Sequence, residues 1–368
     1  MVRIIHAADF HLDSAFSGLP PEKARQRRRE SREILDRLTA LARERQADLV
    51  LLAGDLFDGE RVYPETLERL REALAALACP VFIAPGNHDP FTPRSPYARQ
   101  TWPENVHIFR GGALEAVELP ELGCVVHGAA FTAPERTDQV LAGFTAPADG
   151  LVHILCLHGE VNAPASQYGP ITREQIAASG LTYLALGHVH QCSGLQRQGD
   201  SFWAYPGCPE GRGFDELGDK GVLAGTVERG RVSLDFVPLC RRRYHILTAD
   251  VTGRNPRKAL EEAMPATASD DVCRVIFTGE TGEAGIDLAG LTGDYRDRFY
   301  ALELRDQTRV SRDIWDRAGE DSLRGLFLRE LRARYDAAED EAEREKIAAA
   351  VRFGLAALAG AGCRTGRG

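Results

Sequence analysis

The sequence of 368 residues has no paired cysteines and no excess of positive charge. Its eight cysteines are scattered and form no Cys-x-x-Cys motif, which argues against a disulfide framework and against a thiolate zinc site. Reduced thiols of this kind are typical of a cytoplasmic protein. The net charge of −9 argues against a surface that is basic throughout and binds nucleic acid indiscriminately, although a local basic track is compatible with it.

Long apolar segments are also missing. No apolar run approaches the roughly 20 residues needed to cross a bilayer. The first residues, MVRIIHAADFHLD, lead directly into a strand pattern and leave no room for a signal peptide. No GxxxxGK[ST] phosphate-binding loop occurs. We therefore expect a cytoplasmic protein with no membrane contact and no ATP site of its own.

Short apolar runs of strand length alternate with helical patterns. One helical segment extends from Lys23 to Arg43, and PETLERLREALAAL (64–77) has leucines at helical spacing. Continuous apolar strands with intervening helices predict an α/β fold whose sheet is covered on both faces. The strand-like runs are VRII (2–5), DLVLLA (48–53), PVFIA (80–84), LVHILCL (151–157) and LTYLAL (181–186).

Each of these runs is followed by side chains that can ligate a metal ion. The carboxyl ends of strands are the edge at which open α/β sheets bind ligands. Members of a pair two residues apart, such as His188 and His190, point the same way in an extended backbone. In chain order, the side chains at these ends are Asp9, His11, Asp55, Asp58, Asn87, His88, Asp89, His158, His188 and His190.

The donor types indicate the kind of ion. Carboxylate, amide and imidazole groups without a thiolate suit Mn²⁺, Fe or Zn²⁺ in an open site better than a closed structural zinc site. Six or seven donors exceed what one ion needs, so we expect two divalent metal ions sharing a bridging aspartate. Such ions, roughly 3.5–4 Å apart, suit a phosphoryl displacement. His6 and His153 lie inside strand runs and are expected to be core histidines.

The ordered motifs resemble the signature of the calcineurin-like metallophosphoesterases over roughly residues 1–240. The motifs are Asp9-x-His11, Gly54-Asp55, Gly86-Asn87-His88-Asp89, His158 and Gly187-His188-x-His190. The phrases HAADFHLDSAFSGL, LLAGDLFDGE, WPENVHIF and YPG are similar to those of SbcD-like DNA repair exonucleases, in particular the bacterial YhaO type. This resemblance implies a metallophosphoesterase β-sandwich flanked by helices.

The resemblance also implies roles for the donors. The first ion would be held by Asp9, His11 and His190. The second would be held by Asn87, His158 and His188, and Asp55 would bridge the two. A hydroxide between the metals would attack phosphorus. His88 would protonate the leaving oxygen or stabilise the transition state, and Asp89 would orient His88. For Asp58 and Asp13, a role beside the substrate and a capping role both stay open.

Three domains are predicted. Residues 1–240 form the dimetal phosphoesterase domain and end in a hairpin near 222–227 and 232–237. Within it, the glycine-rich stretch 205–221 is expected to be a surface loop near the site mouth. Residues 241–310 alternate strand and helix and predict a small α/β cap domain, which by resemblance would help to hold DNA. Residues 311–368 predict a helical C-terminal segment.

Two basic runs, RQRRRESR (25–32) and RRR (241–243), could follow the phosphates of DNA. A helix of mixed charge is usually a solvated face. We favour that interpretation for 25–32 and leave both open for 241–243.

The helical C-terminal segment has two apolar stripes. Either can pack on the chain's own body, or dock a coiled-coil SMC-like ATPase as SbcD-like nucleases do; family resemblance also makes a homodimer plausible. The first stripe is Leu323, Leu326, Phe327, Leu331 and Tyr335, and the second is Ile347, Val351, Leu355 and Leu358.

The sequence therefore favours a metal-dependent phosphodiesterase that acts on DNA, as an exonuclease or end-processing nuclease in DNA repair. A dimetal core also serves other reactions. One alternative is a small-molecule phosphodiesterase or phosphomonoesterase. The other is a non-catalytic subunit of an ATPase complex.

Overall fold

The computed structural model describes residues 1–267, 269–282 and 285–358. The chain forms two compact units, Met1–Arg243 and Tyr244–Gly368. None of the helices in the described residues is both long and apolar enough to span a membrane.

The first unit contains fourteen strands and four α-helices. The helices are α1 (Pro21–Glu44), α2 (Pro64–Ala75), α3 (Pro96–Arg99) and α4 (Arg173–Ala178). The strands are β1 (Val2–Ala7), β2 (Leu49–Leu52), β3 (Val81–Ile83), β4 (Val106–Ile108), β5 (Glu115–Leu119), β6 (Cys124–Gly128), β7 (Val152–His158), β8 (Glu160–Val161), β9 (Pro170–Ile171), β10 (Tyr183–Gly187), β11 (Gln196–Gln198), β12 (Ser201–Ala204), β13 (Gly221–Glu228) and β14 (Arg231–Pro238).

Two six-stranded sheets form a sandwich. Their strand orders are β14-β13-β1-β2-β3-β4 and β11-β12-β10-β7-β6-β5. Strands β1 to β4 run parallel to one another, as do β6, β7, β10 and β12. Antiparallel strands flank both groups. The prediction of a β-sandwich flanked by helices, ending in the β13–β14 hairpin, is confirmed.

Strand β2 shows why the central strands are apolar throughout. Alternate side chains of a strand point to opposite faces. Leu49 and Leu51 pack in the core between the two sheets, whereas Val50 and Leu52 pack with α1 and α2 on the outer face. Both faces are therefore buried, and the parallel strands bring the carboxyl ends of β1, β2 and β3 to one edge.

A buried network of ion pairs corrects the interpretation of the basic run 25–32 as a solvated face at Arg27, whereas Arg25 and Arg29 of the same run are exposed. The Arg27 side chain is fully buried; its guanidinium lies 2.8 Å from the Glu30 carboxylate and 2.6 Å from that of Glu210. Arg242, from the second basic run, lies 2.6 Å from Glu30. A buried guanidinium needs carboxylate partners, so these two arginines hold the unit together and are not free to follow phosphates.

The second unit contains a three-stranded parallel sheet in which Val272–Thr278 lies between Tyr244–Asp250 and Ala301–Asp306. Two helices connect these strands, and two more helices follow. The strands are β15 (Tyr244–Asp250), β16 (Val272–Thr278), β17 (Glu280–Thr281), β18 (Ala301–Asp306) and β19 (Arg309–Val310). The helices are α5 (Pro256–Ala263), α6 (Leu288–Tyr295), α7 (Leu323–Ala337) and α8 (Glu341–Leu358). The small α/β fold and the C-terminal helices are as predicted.

The two apolar stripes of α7 and α8 are only partly buried. Val351 and Leu355 are fully buried with Leu328, and Phe327 packs partly against them. Leu328 was not in the predicted stripe. By contrast, Leu323, Leu326 and Leu358 are exposed, at 69%, 58% and 39%. Packing on the chain's own body therefore leaves the start of the α7 stripe and the end of the α8 stripe exposed, whereas Leu331 and Tyr335 are partly buried.

Candidate metal centre

The predicted donors come together at one edge of the sandwich. Asp9 and His11 follow β1, Asp55 follows β2, Asn87 follows β3, His158 ends β7, and His188 and His190 follow β10. Their donor atoms form two overlapping groups, each with all atoms within 4.8 Å of one another. One group is Asp9, His11 and His190, and the other is Asp9, Asp55 and His158.

The carboxylate of Asp55 faces donors of both predicted ligand sets. Its Oδ2 is 3.6 Å from Nε2 of His11 and 3.5 Å from Nε2 of His158. On the second side, the Asn87 side-chain oxygen lies 2.9 Å from Nε2 of His158 and 3.3 Å from Nδ1 of His188. One buried carboxylate thus faces donors from both predicted sets, which is the placement that a bridging ligand requires.

Three of the histidines present Nε2 to the site because Nδ1 is already used. Nδ1 of His11 donates to Asp58 at 3.1 Å, and Nδ1 of His158 donates to the Ala53 carbonyl oxygen at 2.9 Å. Nδ1 of His190 lies 2.8 Å from the Glu216 carboxylate and 3.0 Å from Nη2 of Arg212; it donates to Glu216, which can only accept, and Arg212 donates to the same carboxylate oxygen at 2.7 Å. A hydrogen bond of this kind fixes the tautomer and leaves a lone pair on Nε2 for a metal ion.

The backbone around the donors is unusual. Asp9, His11, Asp55 and His188 all have positive φ, at 56°, 43°, 50° and 108°, a region that residues other than glycine seldom adopt. The His188 backbone N–H donates to both Asp9 carboxylate oxygens, at 3.0 and 3.2 Å. Strain of this kind persists only where the surrounding structure enforces it, and it concentrates at functional sites.

Glycine is required next to two donor segments. A Cβ on Gly86 would lie 2.2 Å from Oδ1 of Asp55, and a Cβ on Gly187 would lie 1.8 Å from the Ala53 carbonyl oxygen. The loops after β2, β3 and β10 therefore approach one another more closely than any other residue would allow.

The electrostatics of the donors fit divalent cations. Burial raises the pKa of Asp9, and the neighbouring Asp55 carboxylate raises it further. Burial also raises the pKa of Asp55 and lowers the pKa of His11 and of His158 to about 4. Two buried carboxylates among neutral imidazoles are stabilised by nearby positive charge. The oxygen and nitrogen donors without a thiolate suit Mn²⁺, Fe or Zn²⁺.

The partner of His88 differs from the predicted one. Nδ1 of His88 lies 3.5 Å from Oδ1 of Asp58, and the Asp58 carboxylate raises the pKa of His88. Burial raises the pKa of Asp58, but its hydrogen bonds with His11 and His88 outweigh burial and hold that pKa below its usual range. Asp58, not Asp89, is the carboxylate that faces His88.

Asp89 points into the interior. Its carboxylate accepts hydrogen bonds from the Gly86 N–H at 2.8 Å, the Phe57 N–H at 3.1 Å and the Tyr97 hydroxyl at 2.5 Å. Burial, with Asp55 nearby, raises the pKa of Asp89 to about 6. The expectation that Asp89 orients the His88 side chain is wrong, since the short Asn-His-Asp turn directs the two side chains apart. Asp89 joins the loop after β2 to the loop after β3.

Two residues at the site were not singled out from the sequence. Both come from the predicted glycine-rich loop 205–221. Arg212 lies 2.7 Å from Glu216 and 3.7 Å from Asp58. Glu216 accepts the hydrogen bond from Nδ1 of His190. Burial raises the pKa of Glu216, but His190 and Arg212 outweigh it and lower that pKa. The only signal in the sequence was a pair of opposite charges, four residues apart, in a loop expected near the site mouth.

The remaining sequence candidates have structural partners. Asp13 accepts hydrogen bonds from the Tyr63 N–H at 2.9 Å and the Thr66 hydroxyl at 2.6 Å, at the start of α2. His6 lies 2.8 Å from the Tyr183 hydroxyl, and His153 lies 3.0 Å from Asp149. His6 and His153 are buried, which confirms that they are core histidines.

Comparison with known proteins agrees with this geometry. Residues 2–192 match the calcineurin-like phosphoesterase family. The metallophosphoesterase YhaO of Bacillus subtilis (strain 168) is 32% identical over 338 residues, which cover 84% of this chain and 79% of that protein. The chain therefore belongs to the calcineurin-like phosphoesterases, a family of metal-dependent hydrolases of phosphoesters, and the resemblance found in the sequence is confirmed.

Two further relatives have names that mention nucleases or DNA. The SbcD subunit of nuclease SbcCD, from Bacillus subtilis (strain 168), is 30% identical over 151 residues, 38% of this chain and 37% of that protein. DNA double-strand break repair protein Mre11 of Methanopyrus kandleri is 25% identical over 380 residues, 88% of this chain and 83% of that protein.

Proposed function

We propose that the protein is a two-metal phosphodiesterase that cleaves DNA as an exonuclease or end-processing nuclease in DNA repair. The observation that carries this proposal is the position of Asp55 between two groups of donors at one edge of the sandwich. The names of two relatives, a nuclease subunit and a double-strand break repair protein, support DNA as the substrate class.

Each proposed ion has its own donors. Asp9, His11 and His190 would hold the first, Asn87, His158 and His188 would hold the second, and Asp55 would be shared. Mn²⁺ is the ion that we propose, with Fe or Zn²⁺ as alternatives. When bound, the ions would supply a water-derived nucleophile at neutral pH and neutralise charge on the phosphoryl oxygens.

The chain's own residues complete the chemistry. His88 is half-exposed beside the buried donors, and the Asp58 carboxylate favours its protonated form. In that form it would donate a proton to the leaving oxygen or a hydrogen bond to the transition state. Asp58 holds His88 and His11 together, so it would align the proton donor with the first group of metal ligands.

Arg212 and Glu216 would act by positioning. Glu216 fixes the tautomer of His190, and Arg212 neutralises Glu216 and lies near Asp58. The loop after β12 thereby connects the metal ligand His190 with the side that carries His88. Loss of a partner of this type commonly lowers metal affinity or activity.

The proposal is tested by incubating purified protein and Mn²⁺ with end-labelled linear DNA, beside bis-p-nitrophenyl phosphate. Shortening of the DNA that is absent in Asp55→Asn supports a nuclease. Turnover of the small diester with intact DNA contradicts an autonomous nuclease and favours a small-molecule phosphodiesterase or a need for a partner. Failure on both substrates, with no bound metal, favours a non-catalytic subunit of an ATPase complex.

A coiled-coil SMC-like ATPase is the partner that we propose for α7 and α8. Leu323 and Leu326 are exposed on α7 and Phe353 is 72% exposed on α8, whereas Leu328 is buried. Leu326→Asp should abolish association with such an ATPase while small-diester turnover persists. A cytoplasmic location and a homodimer remain predictions from the sequence.

A further inference from the structure

Helix α1 carries four arginines on one face within its first turns. They follow the i, i+3, i+4, i+7 spacing of a helix face. Together with Tyr63, which is 53% exposed, they line a depression of about 500 Å³. The four are Arg25, Arg28, Arg29 and Arg32.

Two of these arginines have no carboxylate partner. Arg25 and Arg29 are exposed, and among the described residues neither lies within ion-pair distance of an acidic side chain. They differ in this respect from Arg27 of the same helix, which is buried between Glu30 and Glu210. Glu22 and Glu65 also border the depression, so arginines outnumber glutamates there.

The arginine face begins just beyond the first turn of α1. Cations near a helix N-terminus add to the positive end of the helix dipole and are disfavoured, whereas anions there are favoured. Pro20 precedes the helix and provides no side-chain cap for the first backbone N–H groups. The dipole effect falls off within the first turn, where Glu22 lies, so the positive potential along Arg25, Arg28, Arg29 and Arg32 comes from the four guanidinium groups themselves, in a chain whose net charge is −9.

The arginine face lies next to the candidate metal centre. Arg28 donates to the Ala15 carbonyl oxygen at 3.1 Å, and Arg32 lies 3.3 Å from Asp13. Ser14 lies between Asp13 and Ala15 in the chain, and its hydroxyl donates to Asp58 at 3.1 Å. The same loop thus contacts both the arginine face and the carboxylate that holds His88.

We propose that Arg25, Arg28, Arg29 and Arg32 bind the backbone phosphates of a single-stranded DNA segment adjacent to the scissile bond. The inference rests on the proposed nuclease function and identifies where the uncleaved part of the strand lies. Guanidinium groups bind phosphates without regard to sequence. The exposed Tyr63 ring would stack on a base, which a single strand offers and a paired duplex does not.

Two matched double variants test the arginine face in the full-length protein. Arg25→Gln/Arg29→Gln removes the two unpaired arginines, and Arg43→Gln/Arg71→Gln removes two exposed arginines elsewhere on α1 and α2. Binding to a fluorescein-labelled DNA 20-mer is measured by anisotropy over a range of salt concentrations. Melting temperature and metal content show that each variant is folded.

The expected result is specific to the first variant. Its dissociation constant for single-stranded DNA rises at least about tenfold, and the slope of log affinity against log salt falls by about 1.4, the amount for two phosphate contacts on a single strand. DNA cleavage falls relative to turnover of bis-p-nitrophenyl phosphate. The control variant behaves as wild type, and Tyr63→Ala weakens single-strand binding by at least about fivefold but duplex binding far less.

The outcomes separate this inference from the proposed function. If wild type neither binds nor cleaves DNA, both are overturned. If wild type cleaves DNA and Arg25→Gln/Arg29→Gln matches Arg43→Gln/Arg71→Gln, only the arginine face is overturned. Equal losses on single-stranded and duplex DNA, with no effect of Tyr63→Ala, overturn the assignment to a single strand.

Discussion

Nε2 of His11 and Nε2 of His190 lie 3.2 Å apart. Each ring uses Nδ1 to donate to a carboxylate, from Asp58 and Glu216 respectively, so both Nε2 lone pairs point at the same space. Lone pairs at this distance repel unless a cation or proton lies between them. The short distance between these two nitrogens is therefore stronger evidence for a cation at the first proposed position than any single donor.

Glu216 is expected to control metal affinity through His190. Glu216→Gln removes the carboxylate that fixes the tautomer of His190, and loss of such a partner costs about 10–100-fold in metal affinity. Titration calorimetry with Mn²⁺ measures the change. Asp215→Asn, at the exposed neighbouring residue, is the control. Equal Mn²⁺ affinities for the two variants would show that Glu216 does not control metal binding.

His88 is expected to serve turnover and not metal binding. His88→Ala should retain its metal ions and lose about 10²–10⁴-fold in kcat, the usual contribution of a general acid. Metal content and bis-p-nitrophenyl phosphate hydrolysis are measured on the same preparation. His107→Ala, a histidine outside the centre, should match wild type. Loss of metal from His88→Ala would contradict the assigned role.

The pairing of His88 with Asp58 predicts an effect on acidity. The Asp58 carboxylate raises the pKa of His88, so Asp58→Asn should lower that pKa, and His88 should lose its proton at lower pH. Asp89→Asn should leave it nearly unchanged, since Asp89 bonds to other groups. NMR titration of the His88 ring in chelator-treated protein measures both. A larger change of the His88 pKa in Asp89→Asn than in Asp58→Asn would show that Asp89 is the partner of His88, as the sequence predicted.

The buried network around Glu30 predicts a pH-dependent stability. Arg242 and Arg27 outweigh the burial of Glu30 and lower its pKa from 4.5 to about 2. A lowered carboxyl pKa stabilises the fold above the unfolded pKa, and this contribution, up to about 3 kcal/mol, is lost as pH falls from about 4.5 to about 2. Glu30→Gln should therefore destabilise the protein strongly at pH 7 and little near pH 2.

Urea denaturation at the two pH values measures this difference. Glu33→Gln provides the control, because the Glu33–Arg241 pair is exposed and such pairs contribute about 1 kcal/mol or less. A Glu30→Gln variant with the same loss at both pH values would show that ionisation of Glu30 does not stabilise the fold.

The strands and the metal donors could be predicted because their signals are local. An apolar run such as residues 48–53 specifies a buried strand, and β2 covers Leu49–Leu52 within it. The residues that follow parallel strands share one edge of the sheet, so Asp9, Asp55 and Asn87 could be grouped without coordinates. The structure brings them together as expected, since Asp9 and Asp55 group with His158, and the Asn87 side-chain oxygen contacts His158.

The contacts around the donors could not be predicted because they join segments that are distant in the chain. Adjacency favoured Asp89 as the partner of His88, but the turn directs Asp89 towards Tyr97, and Asp58 takes its place. Similarly, Arg27 belongs to a run that looks solvated, and its partner Glu210 lies 183 residues away. Side-chain pairing across such separations is set by the fold and leaves no periodic pattern.

Metal stoichiometry tests the central claim, that Asp55 is shared by two ions in one centre. Protein dialysed against Mn²⁺ is analysed by inductively coupled plasma mass spectrometry, with Asp36→Asn on the exposed face of α1 as the control. The account predicts two ions per chain in wild type and Asp36→Asn, and weakened binding of both in Asp55→Asn. Full occupancy and activity in Asp55→Asn, or a single ion in wild type, would contradict it.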